Sequence, residues 1–150
     1  KKPDATKEAL RNGWFHSGDI GLRDADGCYT IVDRKKDMII RGGENIYPRE
    51  VEEFLYTVSG VSDVQVIGVP DAKYGEELMA WVKLRPGAHL TGDEIRAYCR
   101  GKIATYKIPR YYKFVDAFPM TVTGKVQKFK MREVSIHELG LERAAAIETA

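Results

Sequence analysis

The sequence predicts an α+β domain. Three observations carry that: a β-hairpin pattern near the start, apolar stretches of strand length, and amphipathic helical stripes between them. The hairpin is signalled by Ile20-Gly21-Leu22, the run Asp24-Ala25-Asp26-Gly27 and the β-rich Cys28-Tyr29-Thr30-Ile31-Val32. Asp-Gly accepts the primed turn that strand twist prefers. Residues 64–69 (VQVIGV) are apolar on both faces, as a buried central strand would be, and Pro70 stops them. A polar loop over 71–77 carries Tyr74 and Gly75. Residues 78–84 then alternate as a second strand, closed by Pro86-Gly87, and 111–115 are a third, shorter one.

Helices are expected between these. Val51, Phe54, Leu55 and Val58 recur at i, i+3, i+4, i+7 behind Pro48, whose missing N–H costs nothing in a first turn. Thr91 and Glu94 fit a capping box ahead of Ile95, Tyr98, Cys99 and Ile103. A closing helix over 129–141 would point Met131 and Val134 inward, and 142–150 would be a frayed tail. Residues 1–12 are polar and weakly helical, ended by Gly13.

With 43% hydrophobic and 31% charged residues, the 150-residue chain has the composition of an ordinary globular domain with its own core. A net charge of +2 gives no global electrostatic ground for a nucleic-acid partner. No run approaches the ~20 apolar residues of a membrane helix. Cys28 and Cys99 form no disulfide framework and suit a reducing compartment, so the expected location is cytoplasmic. The chain begins at Lys1 without a methionine or signal pattern, and is expected to be part of something longer.

Residues 33–55, DRKKDMIIRGGENIYPREVEEFL, organise the rest. A charged connector leads into the short apolar burst Met38-Ile39-Ile40, then the break Arg41-Gly42-Gly43-Glu44, then the helix at Pro48. Taken alone, the glycine pair is a tight turn, Asp19 a turn residue, Arg34 a solvated linker arginine, and Thr123-Gly124-Lys125 a turn with an exposed lysine that lacks Walker spacing. Taken as text, DRKKDMIIRGGENIYP resembles the hinge and glycine loop of the adenylate-forming superfamily, and most of all its fatty-acid-type acyl-CoA synthetases. Phe15-His16-Ser17-Gly18-Asp19 and Pro119 through Lys125 resemble two further motifs of that family, so the likeness covers 13–130.

The resemblance implies the small carboxy-terminal lid domain of such an enzyme. Its fold is a short, mostly antiparallel sheet with about three packing helices, preceded by a β-hairpin from the end of the large domain. Residues 1–33 would close the large domain, 34–141 would form the mobile lid, and 142–150 the tail. Asp19 would accept the ribose hydroxyls of the adenosine, and Arg34 would lie near ribose and α-phosphate, where a planar fork of donors suits anionic oxygens. Lys36 would be the hinge. Lys125 would be the catalytic lysine of adenylation. Gly42, Gly43, Glu44 and Tyr74 would line or order the pantetheine channel of coenzyme A, with Tyr74 where related ligases carry tryptophan. Arg85 or Lys107 could meet the coenzyme A phosphates.

The implied reaction is a two-step, ATP-dependent acid–thiol ligation that makes a fatty (medium- or long-chain) acyl-CoA through an acyl-adenylate. The substrates are a carboxylic acid, ATP with Mg2+ and coenzyme A. The family's phosphate loop and acyl pocket are not in this chain, so it would act only with its amino-terminal domain, which would bind the Mg2+. No metal site is expected here, nor any nucleic-acid partner. Two alternatives remain: an adenylation domain that loads a carrier protein, and a non-catalytic interaction module of the same fold. The combination of Asp19, Arg34 and Lys125 argues against the second.

Overall fold

The structure, a computed structural model, describes residues 2–146. The chain divides into two compact units, the first ending at Lys36 and the second beginning at Asp37.

The first unit opens with helix α1 (Pro3–Ala9) and a 3-10 turn (Arg11–Gly13), followed by strands β1 (Asp19–Arg23) and β2 (Tyr29–Arg34). These strands pair antiparallel, with Asp19 opposite Arg34. The expected primed turn is absent. Gly27 N–H bonds Asp24 O at 3.1 Å, and only Gly27 among the turn residues has positive φ, at 85°. The Asp24 carboxylate decides this by accepting the Cys28 N–H at 2.8 Å, which stabilises a longer loop than Asp-Gly alone would make. Strand β2 also runs through Asp33 and Arg34, so the charged connector shrinks to a short turn.

The second unit is a five-stranded sheet with helices on both faces. Strands β3 (Ile39–Arg41) and β4 (Glu44–Ile46) form a two-residue hairpin around Gly42-Gly43. Both glycines have positive φ, 59° and 90°, as a primed hairpin turn requires. From the sequence a loop is expected here; β4 is too short a strand to show periodicity. Helix α2 (Pro48–Leu55) follows, with Pro48 in its first turn and Val51 and Leu55 buried.

Strands β5 (Val61–Asp71) and β6 (Gly75–Leu84) make the long antiparallel hairpin at the heart of the unit. Here two expectations are corrected. Strand β5 is buried but lies at the outer end of the sheet, while β6 is central, touching β3, β5 and β7 (Tyr111–Phe114). Pro70 does not stop β5 but continues it, opposite Glu76. An outer strand tolerates proline because the missing N–H removes no ladder bond on its free side. Strand β7 is the one parallel partner of β6 in an otherwise antiparallel sheet.

Side-chain alternation along β5 and β6 feeds two cores. Val64, Val66, Leu78, Ala80 and Val82 face a cluster completed by Ile39, Ile46 and the buried sides of α2 and helix α3 (Gly92–Cys99). Ile67, Val69, Met79 and Trp81 face the other, completed by Phe118 and by Met131 of helix α4 (Lys128–Glu138). Helix α3 carries the expected capping box, with Glu94 N–H donating to Thr91 Oγ1 at 3.2 Å and Thr91 N–H to Glu94 Oε2 at 2.8 Å. Ile103 lies beyond its end, yet still packs on the first core.

Helix α4 is rotated from the expected phase. Met131 and Ser135 face inward and Val134 is exposed. The reason is the Trp81 indole N–H, which needs an acceptor inside the core and finds Ser135 Oγ at 3.0 Å. Residues 142–145 of the expected tail form a short helix, α5 (Glu142–Ala145), and 147–150 lie outside the described residues.

Candidate functional site

In the first unit, the hairpin register brings Asp19 and Arg34 together. Arg34 Nε donates to Asp19 Oδ1 at 2.9 Å, and both side chains keep solvent-accessible surface. The Arg34 hydrogen bond, helped by Ser17, holds the Asp19 carboxyl below its ordinary value, so it stays an ionised acceptor. Asp19 lines an open depression of about 590 Å³ together with Ser17, Gly18, Phe15, His16 and Lys35. Lys36 is exposed in the turn that follows β2, at the last position of this unit.

In the second unit, Gly42 and Tyr74 meet. Gly42 N–H donates to Tyr74 O at 2.8 Å, and a Cβ on Gly42 would stand 3.2 Å from the Tyr74 ring. Gly43, by contrast, has open space where a Cβ would go. Glu44 is exposed and is held by its backbone pairing with Arg41 across the turn. Tyr74 is positioned by the β5–β6 turn, where Asp71 Oδ1 accepts the N–H groups of Lys73 and Tyr74, both at 2.9 Å. Burial pushes the Asp71 carboxyl up, but those two N–H groups and the charges of Arg110 and Arg41 outweigh it and hold the group below its ordinary value.

Beside Tyr74 lies a cavity of about 420 Å³ whose lining includes Arg41, Arg96, Arg100 and Arg110. The Arg41 guanidinium carbon lies over the Tyr74 ring, 4.2 Å from its centroid, and Arg41 Nε donates to Glu77 at 2.5 Å. Arg96 pairs with Asp93, and Arg110 with Asp71 at 3.3 Å. Arg100 is exposed, lines the cavity and carries no ion pair among the described residues. Arg85 and Lys107 are the basic candidates expected from the sequence. Neither lines this cavity: Arg85 Nε donates to Val61 O at 3.2 Å and Lys107 pairs with Glu50 at 2.5 Å. The arginine cluster was missed because Arg41, Arg96, Arg100 and Arg110 come from separate segments of the chain. The signal that could have found it is Glu77, an acid on the same strand parity as Met79 and Trp81, which called for a cationic partner.

Lys125 sits in a third, separate loop and does not line the cavity. That loop is a tight hairpin: Thr121 N–H donates to Lys125 O at 2.8 Å, and Gly124 N–H to Thr121 O at 3.0 Å. Thr121 Oγ1 accepts the Lys125 N–H at 3.0 Å, so the backbone of Lys125 is fixed while its side chain projects into solvent. Three residues on, Lys128 Nζ bonds Glu52 Oε1 at 2.7 Å, and the same oxygen accepts the Val66 N–H at 2.8 Å. The base of the lysine loop is thereby tied to α2 and β5.

The geometry therefore offers an exposed lysine on a backbone-fixed loop and a glycine hairpin packed on an aromatic ring beside an arginine-walled cavity. Among the described residues no helix is long and apolar enough to cross a membrane, and Cys28 and Cys99 are free thiols.

Known proteins resemble this chain over most of its length. The model of the AMP-binding enzyme C-terminal domain matches residues 50–125, just over half of the chain. The YngI protein of Bacillus subtilis (strain 168) is 56% identical over 142 residues, covering 94% of this chain and 26% of that protein. A Bos taurus protein named mitochondrial medium-chain acyl-CoA ligase ACSF2 is 50% identical over 141 residues, covering 93% of this chain and 23% of the relative. A solved Mycobacterium tuberculosis fatty acyl CoA synthetase superposes with a TM-score of 0.70 at 44% identity, over 91% of this chain and 27% of that one. The chain spans about a quarter of the length of these relatives. It belongs to the AMP-binding enzyme C-terminal domain family, whose adenylate-forming members share this small α+β fold.

Proposed function

We propose that this chain is the mobile lid of an ATP-dependent ligase that converts a fatty, medium- or long-chain carboxylic acid to its acyl-CoA through an acyl-adenylate. The relatives named medium-chain acyl-CoA ligase and fatty acyl CoA synthetase support the acid class. Residues 1–33 would close the large domain and 34–141 would move as the lid. The division into compact units beside Lys36 supports a hinge there, since a hinge needs an exposed position that can absorb a torsion change. ATP and its Mg2+ would be held mainly by the rest of the enzyme, with Asp19 on the ribose and Arg34 near the α-phosphate. A cytoplasmic location is part of the proposal, carried by the two free thiols.

One observation carries the proposal: a backbone-locked hairpin presenting Lys125 and a glycine hairpin packed on Tyr74 belong to the same compact unit. Two surfaces on one body suit two successive steps. In the first, the carboxylate attacks the α-phosphate of ATP and pyrophosphate leaves; negative charge gathers there, and the Lys125 ammonium bridges carboxylate and α-phosphate. In the second, the thiol of coenzyme A reaches the adenylate past Gly42 and Gly43, where a missing Cβ allows close approach, and displaces AMP from the acyl carbon with loss of the thiol proton. The arginine cavity beside Tyr74, with the unpaired Arg100, offers cations to the coenzyme A phosphates.

The test uses the full-length enzyme that contains this chain, a panel of carboxylic acids, ATP and coenzyme A. Lys125→Ala should abolish adenylate formation while pre-made adenylate still yields thioester. Survival of both half-reactions would make Lys125 a surface turn lysine and sink the proposal.

A further inference from the structure

Glu77 is the one buried charged side chain among the described residues, 2% exposed, on the central strand β6. A carboxylate taken out of water needs compensation, and it has three sources. Its Oε1 accepts from Arg41 Nε at 2.5 Å and from Leu78 N–H at 3.1 Å, and its Oε2 lies 3.9 Å from Arg110. Stability alone does not explain such a pair, because well-packed apolar residues in its place are often as stable or more so. Its location is informative. Arg41 is the residue immediately before Gly42, pairs with Gly75 across to β6, and spreads its guanidinium over the Tyr74 ring.

We infer that Glu77 is a positioning residue for the thiol-bearing substrate: by clamping Arg41 against Tyr74, it fixes the wall that Tyr74 presents beside Gly42. This rests on the proposal that Tyr74 and Gly42 border the pantetheine arm. Three constraints converge on the ring. Asp71 sets its backbone, Gly42 N–H holds its carbonyl, and Arg41 covers its face. Arg41 is in turn immobilised by Glu77, since a guanidinium held through Nε keeps its plane oriented. Loss of the Glu77 charge frees Arg41 to swing toward solvent or to the cavity, and the ring keeps only Lys73, whose Nζ lies 4.9 Å from its centroid. The effect falls on the step that uses coenzyme A, because Lys125 stands on a separate hairpin tied down by Thr121 and Lys128.

The experiment compares full-length wild type, Glu77→Gln, Arg41→Gln and Arg41→Lys in the separate half-reactions, with thermal melts as a folding check. Glu77→Gln and Arg41→Gln should raise the KM for coenzyme A by about ten- to a hundredfold, the worth of a charge-assisted bond. Adenylate formation should change by less than about twofold. Arg41→Lys, which keeps the charge but not the planar cover, should give an intermediate KM. A coenzyme A KM within about twofold of wild type in folded Glu77→Gln and Arg41→Gln enzymes overturns the inference. So does a fall in adenylate formation equal to the fall in thioester formation, which would make the pair structural. If wild type forms adenylate but passes it to no thiol, the coenzyme A assignment fails together with this inference, while the Lys125 half of the proposal stands.

Discussion

Gly42 donates its N–H to the carbonyl oxygen of Tyr74 at 2.8 Å, and a Cβ at Gly42 would stand 3.2 Å from the Tyr74 ring, tighter than ordinary van der Waals contact. The glycine is thus required twice, by its φ of 59° and by its neighbour. Gly43 has positive φ but no such neighbour.

Gly42→Ala should therefore destabilise the protein by about 1–2 kcal/mol through the left-handed backbone alone, and displace Tyr74 in addition. Gly43→Ala should carry the backbone cost without moving the ring. Urea unfolding of both variants, alongside the coenzyme A KM of the full-length enzymes, separates these effects. Equal KM values for the two would show that the contact with Tyr74 has no functional weight.

Ser135→Ala should cost about 1–3 kcal/mol, because it strands the buried Trp81 N–H whose acceptor is Ser135 Oγ. Ser135→Thr keeps the hydroxyl and tests whether the loss is one of hydrogen bonding. Denaturant midpoints with unchanged m-values are the measurement, and a midpoint for Ser135→Ala equal to wild type would contradict the bond's importance.

Asp71 makes the stability of the Tyr74 turn acid-sensitive. Its folded-state value is held below the ordinary 3.8, so protons bind more readily to the unfolded chain. Its charge contributes stability that is fully present above the unfolded value and is lost as pH falls through the lower folded one. The stability gap between wild type and Asp71→Asn should be widest near neutral pH and should close on acidification below about pH 4. A gap that stays constant across that range would mean the carboxylate charge plays no part.

The sequence by itself determined most of the strand and helix segments, the Thr91–Glu94 cap and the Pro48 helix start, and it carries the motif text in which Asp19, Arg34, Lys36, Gly42, Gly43, Glu44, Tyr74 and Lys125 are proposed to act. These are local signals, written in spacing or in contiguous text, so no tertiary knowledge is needed to find them. Only the tertiary structure decided that β6 and not β5 is central, since order within a sheet depends on which distant strands pair. It also decided the phase of α4, where the Trp81 N–H selected Ser135 for the core over the more apolar Val134. The arginine cavity and the buried Glu77 were hidden for the same reason. Their partners are far apart along the chain, and a charge becomes costly enough to organise its surroundings only once folding has removed it from water.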